Sequence, residues 1–232
     1  MSLTQIRVIQ IRINQVCIKM ILSILMFIPA FAFAQDLIVI RHGEALSNQQ
    51  NVMSADPLLS KEYPLTEKGR NQVKKAAEDL RNRFGINNTK IRWVYSSPLL
   101  RAEETAEILM TELGIDFGKK VIDYAIKEPS YGILEGRNGE KLRALFPGQN
   151  PWNNTIASLY MGEANEDLDY RLQTFINRIK IIHTEGDILV VTHGSPMMTI
   201  TKILEPGNSA WKPKNAEFRV LKLRQEGGCC GR

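Results

Sequence analysis

Histidine and glycine meet at the ends of two similar stretches of this chain, in one of them behind an arginine. The first is Asp36-Leu-Ile-Val-Ile-Arg-His-Gly-Glu44, and far downstream it is answered by Asp187-Ile-Leu-Val-Val-Thr-His-Gly194. Each has an acidic residue, four branched apolar residues, one polar residue and then His-Gly. A neutral imidazole nitrogen is a competent nucleophile toward phosphorus and can form a covalent intermediate. The fork of a guanidinium suits the equatorial oxygens of a phosphoryl group in transfer, whose spread charge must be stabilised. Arg41 supplies such a fork beside His42, and Gly43 lets the backbone approach closely behind the ring. His42 alone would equally be a satisfied histidine at a strand end. His193 and Arg101, at two further strand ends, turn the reading toward a phosphoryl-transfer site.

The elements that must bring these residues together follow from periodicity. Short runs of Val, Ile and Leu bounded by polar residues and Gly read as strands buried on both faces of a parallel sheet. Ligands of such sheets sit outside the carboxyl ends of the strands. Residues 45–65 are polar, with Pro57 and Pro64 as breaks, and read as a long loop leaving the first strand. Thr66 is a good N-cap and Gly85 a good stop for a helix whose inward face is Val73, Ala76, Ala77, Leu80 and Phe84. Residues 91–95 read as a strand ending at Ser96-Ser97-Pro98. A helix over 99–113 follows, with Arg101 in its first turn and Gly114 after it. Residues 121–126 make a weaker strand, a glycine-marked loop leads to a short helix through Phe146, and a longer helix covers 166–183 with Leu168 to Ile182 inward. The Asp187 strand, a helix over 196–204 and a strand over 217–223 complete the order. Strands alternating with helices predict a layered α/β fold with a largely parallel sheet.

Several segments in this order carry a resemblance. Arg41-His42-Gly43-Glu44 with Asn48, Ser97-Pro98-Leu99-Leu100-Arg101-Ala102-Glu103-Glu104-Thr105, Glu128 through Gly136, and Thr192-His193-Gly194 resemble the histidine phosphatase (phosphoglycerate mutase-like) superfamily. Pro64-Leu65-Thr66-Glu67-Lys68-Gly69, and Gly162-Glu163 with Arg171, resemble its intervening segments, so the similarity runs from Leu37 to Leu223. It implies a three-layer α/β/α fold with a mostly parallel central sheet. It also implies roles: His42 as the nucleophile that becomes phosphohistidine, with Arg41, Arg101 and His193 as the rest of the phosphate pocket. Asn48 would be a phosphate contact and Glu128 the proton donor. The physics agrees, since nearby guanidinium charges disfavour protonation of His42, and a carboxyl facing the leaving oxygen can hand it a proton. Glu135 and Glu140 compete with Glu128 for that last role.

The chain also departs from parts of the family. Ala45 stands where many members carry a hydroxyl. The segment between Glu128 and His193 is shorter than in true phosphoglycerate mutases, which favours hydrolysis over chemistry that must shelter a bisphosphate from water. Glu44-Ala45-Leu46 and His193-Gly194 stand in place of the Arg-His-Gly-x-Arg and His-Asp pattern of the acid phosphatase and phytase branch. The expectation is a phosphatase acting on a small phosphorylated substrate. A mutase-type phosphotransferase and a non-catalytic phosphate-binding relative stay open. No Cys/His spacing or aspartate cluster argues for a metal, and no cofactor is implied. His183, at a helix end, reads as structural, and Met197-Met198 as core. Trp152 and Tyr160 are candidates for the leaving-group side of the pocket.

At 232 residues the chain suits one domain, and its 44% hydrophobic, 24% charged composition is globular. Residues 1–34 hold Arg7, Arg12, Lys19 and no acid; taking those three charges from the net +5 leaves +2, too little to suggest nucleic acid. Basic residues, then an apolar run from Met20, then Ala32-Phe33-Ala34 describe a cleavable signal peptide over 1–34. The run is shorter than the roughly 20 residues that span a bilayer, so the expectation is an exported protein, periplasmic or secreted, with no stable membrane anchor after cleavage. Cys17 has no lipobox around it. The domain would cover 35–224 and a flexible tail 225–232, where Cys229 and Cys230 are too few for a disulfide framework. Oligomeric state is not encoded in any pattern here.

Overall fold

A computed structural model describes residues 35–145, 154–207 and 211–224. The expected leader, Phe146, Trp152 and the Cys229-Cys230 tail lie outside the described residues. Five strands, Gln35–Arg41 (β1), Ile91–Ser96 (β2), Lys120–Ile122 (β3), Asp187–Thr192 (β4) and Phe218–Arg224 (β5), form one sheet in the order β3-β2-β4-β1-β5. All neighbours are parallel except β5, which runs antiparallel to β1. The helices are Leu46–Gln49 (α1), Glu67–Phe84 (α2), Leu100–Leu113 (α3), Gly139–Leu145 (α4), Asn154–Leu159 (α5), Asn165–Ile182 (α6) and Gly194–Leu204 (α7).

Alternation along the strands divides the core into two sheets of side chains. Ile38, Ile40, Val94, Leu189 and Val191 meet Val73, Ala76, Ala77 and Leu80 of α2 and Ala102, Ala106, Leu109 and Met110 of α3. Leu37, Val39, Tyr95, Ile188 and Val190 face the other way, onto Leu168, Leu172, Phe175, Ile176 and Ile179 of α6 and Met197 and Ile200 of α7. This is the three-layer α/β/α arrangement, and it explains why the strands carry unbroken apolar runs: both faces are covered. Thr66 caps α2 by accepting from Gly69 N–H, and Gly85 and Gly114 end α2 and α3 in the left-handed region. A third cluster of Met53, Ala55, Tyr131, Leu134, Leu142 and Ala157 packs the long connections.

Local expectations needed correction at four places. The stretch after β1 is partly helical, because Asn48 Oδ1 accepts from Ala45 N–H at 3.0 Å and closes the α1 turn. The strand expected over 121–126 stops after Ile122, where Asp123 accepts from Ala125 N–H at 2.9 Å and starts a 3-10 turn. Phe84 and Ile182, expected inward, are exposed, Phe84 with its ring edge against Phe218. His183 is held by burial rather than by charge at a helix end. Its Nε2 lies 2.6 Å from the Tyr95 hydroxyl, its ring lies near Trp93, and burial lowers its pKa.

Candidate active site

The register of two strands does most of the positioning. β1 and β4 are neighbours, paired from Leu37 opposite Ile188 through Arg41 opposite Thr192. The next residue on each strand is histidine, and His42 N–H continues the ladder to Thr192 O at 2.9 Å. The two rings consequently lie side by side, centroids 5.0 Å apart, both buried.

His42 is held in one tautomer. Its Nδ1 lies 2.7 Å from Gly43 O, an oxygen that only accepts, so Nδ1 carries the proton and Nε2 the lone pair. Arg101 Nε donates to that Nε2 at 3.1 Å, and Arg101 Nη2 donates to Ser54 O at 2.8 Å. Burial, then Arg101, then Arg41 hold the His42 pKa well below its ordinary value of 6.5. The ring is neutral at physiological pH.

His193 uses its nitrogens the other way round. Its Nε2 is 2.7 Å from Ser97 Oγ, while Nδ1 is buried without a partner and lies 4.0 Å from Glu128 Oε2. Burial and then Arg101 keep this ring neutral as well. Arg41 donates through Nη1 to Pro213 O at 2.8 Å, and its Nε is buried without a partner, as is Nη1 of Arg101. Buried donors are normally bonded, so the two unpartnered arginine N–H groups, joined by Nδ1–H of His193 when Ser97 Oγ donates to Nε2, leave a buried cationic cradle.

Arg41, His42 and Arg101 line a cavity of about 520 Å³ with Asn48, Ser54, Glu128, Tyr131, Ser195 and Met198, and with Arg143 and Lys212, while His193 is buried beside His42. Asn48 Oδ1 accepts from Ala45 N–H and from Asn215 Nδ2, fixing the amide. Glu128 accepts from Ser195 Oγ at 2.8 Å. Burial, then the Glu128 carboxylate, pushes the Tyr131 hydroxyl up, so it stays protonated as a donor.

All six residues singled out from the sequence, Arg41, His42, Asn48, Arg101, Glu128 and His193, are thus brought to one place. The rival acids are elsewhere: Glu135 accepts from Ala55 N–H and Tyr131 N–H, and Glu140 is exposed. Tyr160 packs on the third cluster, and Met198, expected in the core, lines the cavity while Met197 is buried. Ser97, Ser195 and Tyr131 were not foreseen. Ser97 and Tyr131 fall inside segments that carry the resemblance and Ser195 follows one, so place within or beside the motifs is a usable signal; nothing local marks the carbonyl of Ser54.

Gly43 has its close approach, but to protein. A Cβ there would lie 2.6 Å from Gly69 O, and a Cβ on Gly69 would lie 2.0 Å from Glu44 O. The turn bearing His42 rests directly on the first turn of α2.

A neutral histidine and two arginines gather at the carboxyl ends of a mostly parallel sheet in an α/β protein. The chain belongs to the histidine phosphatase superfamily (branch 1), whose family model matches residues 37–230. It is 28% identical over 176 residues to sedoheptulose 1,7-bisphosphatase of Saccharomyces cerevisiae, covering 68% of this chain and 62% of that protein. It is 27% identical over 176 residues to a 2,3-bisphosphoglycerate-dependent phosphoglycerate mutase of Azorhizobium caulinodans, covering 73% of this chain and 81% of the mutase. Among solved structures, phosphoglycerate mutase from Bacillus anthracis superposes with TM-score 0.68 at 21% identity, covering 84% of this chain and 91% of that one. A mycobacterial glucosyl-3-phosphoglycerate phosphatase in complex with VO3 gives 0.66 at 23%, covering 81% and 92%. Both share the fold.

Proposed function

We propose that this protein is a phosphatase hydrolysing small phosphate monoesters through a phosphohistidine on His42. His42 Nε2 attacks phosphorus, the bond to the leaving oxygen breaks, and the Glu128 carboxylic acid gives that oxygen its proton. The Glu128 carboxylate then takes a proton from water, whose oxygen displaces His42 Nε2 and releases inorganic phosphate. Arg41, Arg101, His193 and Asn48 hold the phosphoryl oxygens through both steps. The observation that carries this reading is the lone pair of His42 Nε2 beside unpartnered buried N–H groups of Arg41 and Arg101 and the unpartnered Nδ1 of His193. Hydrolysis is favoured over a mutase by the short segment between Glu128 and His193.

Trapping tests the chemistry. Brief incubation with a ³²P-labelled monoester should leave acid-labile, base-stable label on the parent protein and none on His42→Ala, with inorganic phosphate as the product. Monoester hydrolysis by His42→Ala at the parent rate would sink the proposal. Transfer to a second hydroxyl in place of phosphate release would make the enzyme a mutase. We further propose that residues 35–232 are exported after cleavage behind Ala34, as the basic-apolar-small order of the leader suggests. A mature N-terminus other than Gln35 would overturn that.

A further inference from the structure

Glu128 lies on no helix or strand. It follows the 3-10 turn Tyr124–Ile126 and precedes Pro129. A proton donor on such a stretch must still be held within a fraction of an ångström and a few tens of degrees of its working position. Every carbonyl from residue 125 to 128 has a donor. Arg171 of α6 donates through Nη1 to Ala125 O at 2.5 Å and through Nη2 to Lys127 O at 2.8 Å. Thr192 Oγ1 donates to Ile126 O at 2.6 Å, and Lys127 Nζ to Glu128 O at 2.9 Å. Two residues on, Ser130 O accepts from Glu163 N–H at 2.8 Å.

Glu163 closes the arrangement. Its Oε1 accepts from Arg171 Nε at 2.5 Å and its Oε2 from Arg171 Nη2 at 3.0 Å, and both side chains are mostly buried. One guanidinium plane therefore fixes two carbonyls on one side and a carboxylate on the other. An ammonium has no such fork. Arg171 is not among the residues lining the cavity, so it reaches the reaction through Glu128.

Resting on the proton-donor reading of Glu128, we propose that Arg171, oriented by Glu163, is a positioning residue that aims the Glu128 carboxyl at the leaving oxygen. The helix α6 that covers one face of the sheet thereby sets the geometry of acid catalysis at its edge. The test uses leaving-group dependence, because an activated leaving group needs little protonation and an alkoxide needs much. Arg171→Lys, Arg171→Met and Glu163→Gln are compared with Glu128→Gln on para-nitrophenyl phosphate and on an alkyl phosphate. On the alkyl ester, kcat/KM of Arg171→Lys should fall about 10²-fold, as expected for a displaced general acid, and on the nitrophenyl ester by about threefold or less. Glu128→Gln should show the same imbalance, and Glu163→Gln a weaker one. Inhibition by orthovanadate should stay within about threefold of the parent, because the cradle around His42 is untouched.

Equal losses on both esters, or none, from the Arg171 and Glu163 variants would overturn the positioning role while Glu128→Gln remains imbalanced. If Glu128→Gln itself lost both activities equally, the proton-donor reading would fall first and this one with it. Weakened vanadate inhibition in Arg171→Lys and Glu163→Gln alike would show the two residues supporting the whole site rather than its acid.

Discussion

Gly69→Ala turns the close crossing behind His42 into a measurement. In the first turn of an exposed helix, replacing Gly by Ala should stabilise by about 1 kcal/mol. Here the new Cβ would stand 2.0 Å from Glu44 O and 2.8 Å from Glu44 C and N, whereas ordinary contact begins at 3.4 Å. One of the two backbones must move by about 1.4 Å. α2 cannot simply retreat, since Val73, Ala76 and Ala77 are packed against the sheet. Nor is Glu44 free, because its carbonyl accepts from Thr66 N–H at 2.9 Å and its own N–H donates to Gln72 at 2.9 Å. Overpacking without room to relax costs about 1–3 kcal/mol or more, which reverses the sign expected from helix propensity. We expect a net loss of about 2 kcal/mol in urea unfolding followed by circular dichroism. A displacement near 1 Å at the turn carrying His42 should lower kcat/KM about 10²-fold. Lys74→Ala, on the exposed side of α2, should stay within about 0.5 kcal/mol of the parent. If Gly69→Ala unfolded at the same or higher urea than the parent, the steric argument would be wrong.

Three further outcomes follow from the geometry. Because burial holds His42, His183 and His193 below 6.5, the unfolded chain takes protons there that the folded chain refuses. Stability is therefore full above about pH 6.5 and falls below it, by up to about 1.4 kcal/mol per pH unit per histidine. Urea unfolding between pH 5 and 7.5 should show that slope, and His42→Gln should flatten part of it; a parent curve flat over that range would refute the account. Arg101→Met should lower kcat/KM about 10²- to 10³-fold, and inorganic phosphate should raise the melting temperature of the parent by binding its folded state and that of the variant much less. Equal phosphate shifts would remove Arg101 from the cradle. Tyr95→Phe deprives His183 Nε2 of its 2.6 Å partner and should cost about 1–2 kcal/mol with hydrolysis unchanged; a fall in hydrolysis would mean that this pair communicates with the site.

Much of this was legible in the chain because the informative residues sit where elements meet. Thr66, Gly85 and Gly114 mark helix ends through local backbone chemistry, and the observed caps fall on them. His42 and His193 could be paired on paper because identical strand patterns end in the same dipeptide, and parallel register then brings them level. What escaped was nonlocal or anonymous. Ser54 contributes a carbonyl, which every residue has, and Tyr131 reaches the cavity only because the chain folds back through the third cluster. The antiparallel course of β5 is a matter of its pairing with β1 across most of the chain, which no local pattern in the strand encodes. The short β3 was overrun on paper because the Asp123 side chain, rather than any break in apolar pattern, ends it.

The two histidines show how equivalent sequence positions acquire different chemistry. Both follow a buried strand, both are neutral, and their rings are neighbours. The difference lies in which nitrogen the protein occupies, since the bond made by one nitrogen sets what the other can do. The carbonyl of Gly43 takes the Nδ1 proton of His42 and leaves its Nε2 lone pair facing the arginines. Ser97 occupies Nε2 of His193 instead, and when its hydroxyl donates there, Nδ1–H is the group left over. Side by side, one ring then offers electrons and the other a proton. On the proposed chemistry that is the division required: phosphorus meets the lone pair of His42, and a phosphoryl oxygen meets the donor of His193. Exchanging the partners, a serine behind His42 and a carbonyl behind His193, would exchange the roles without moving either strand.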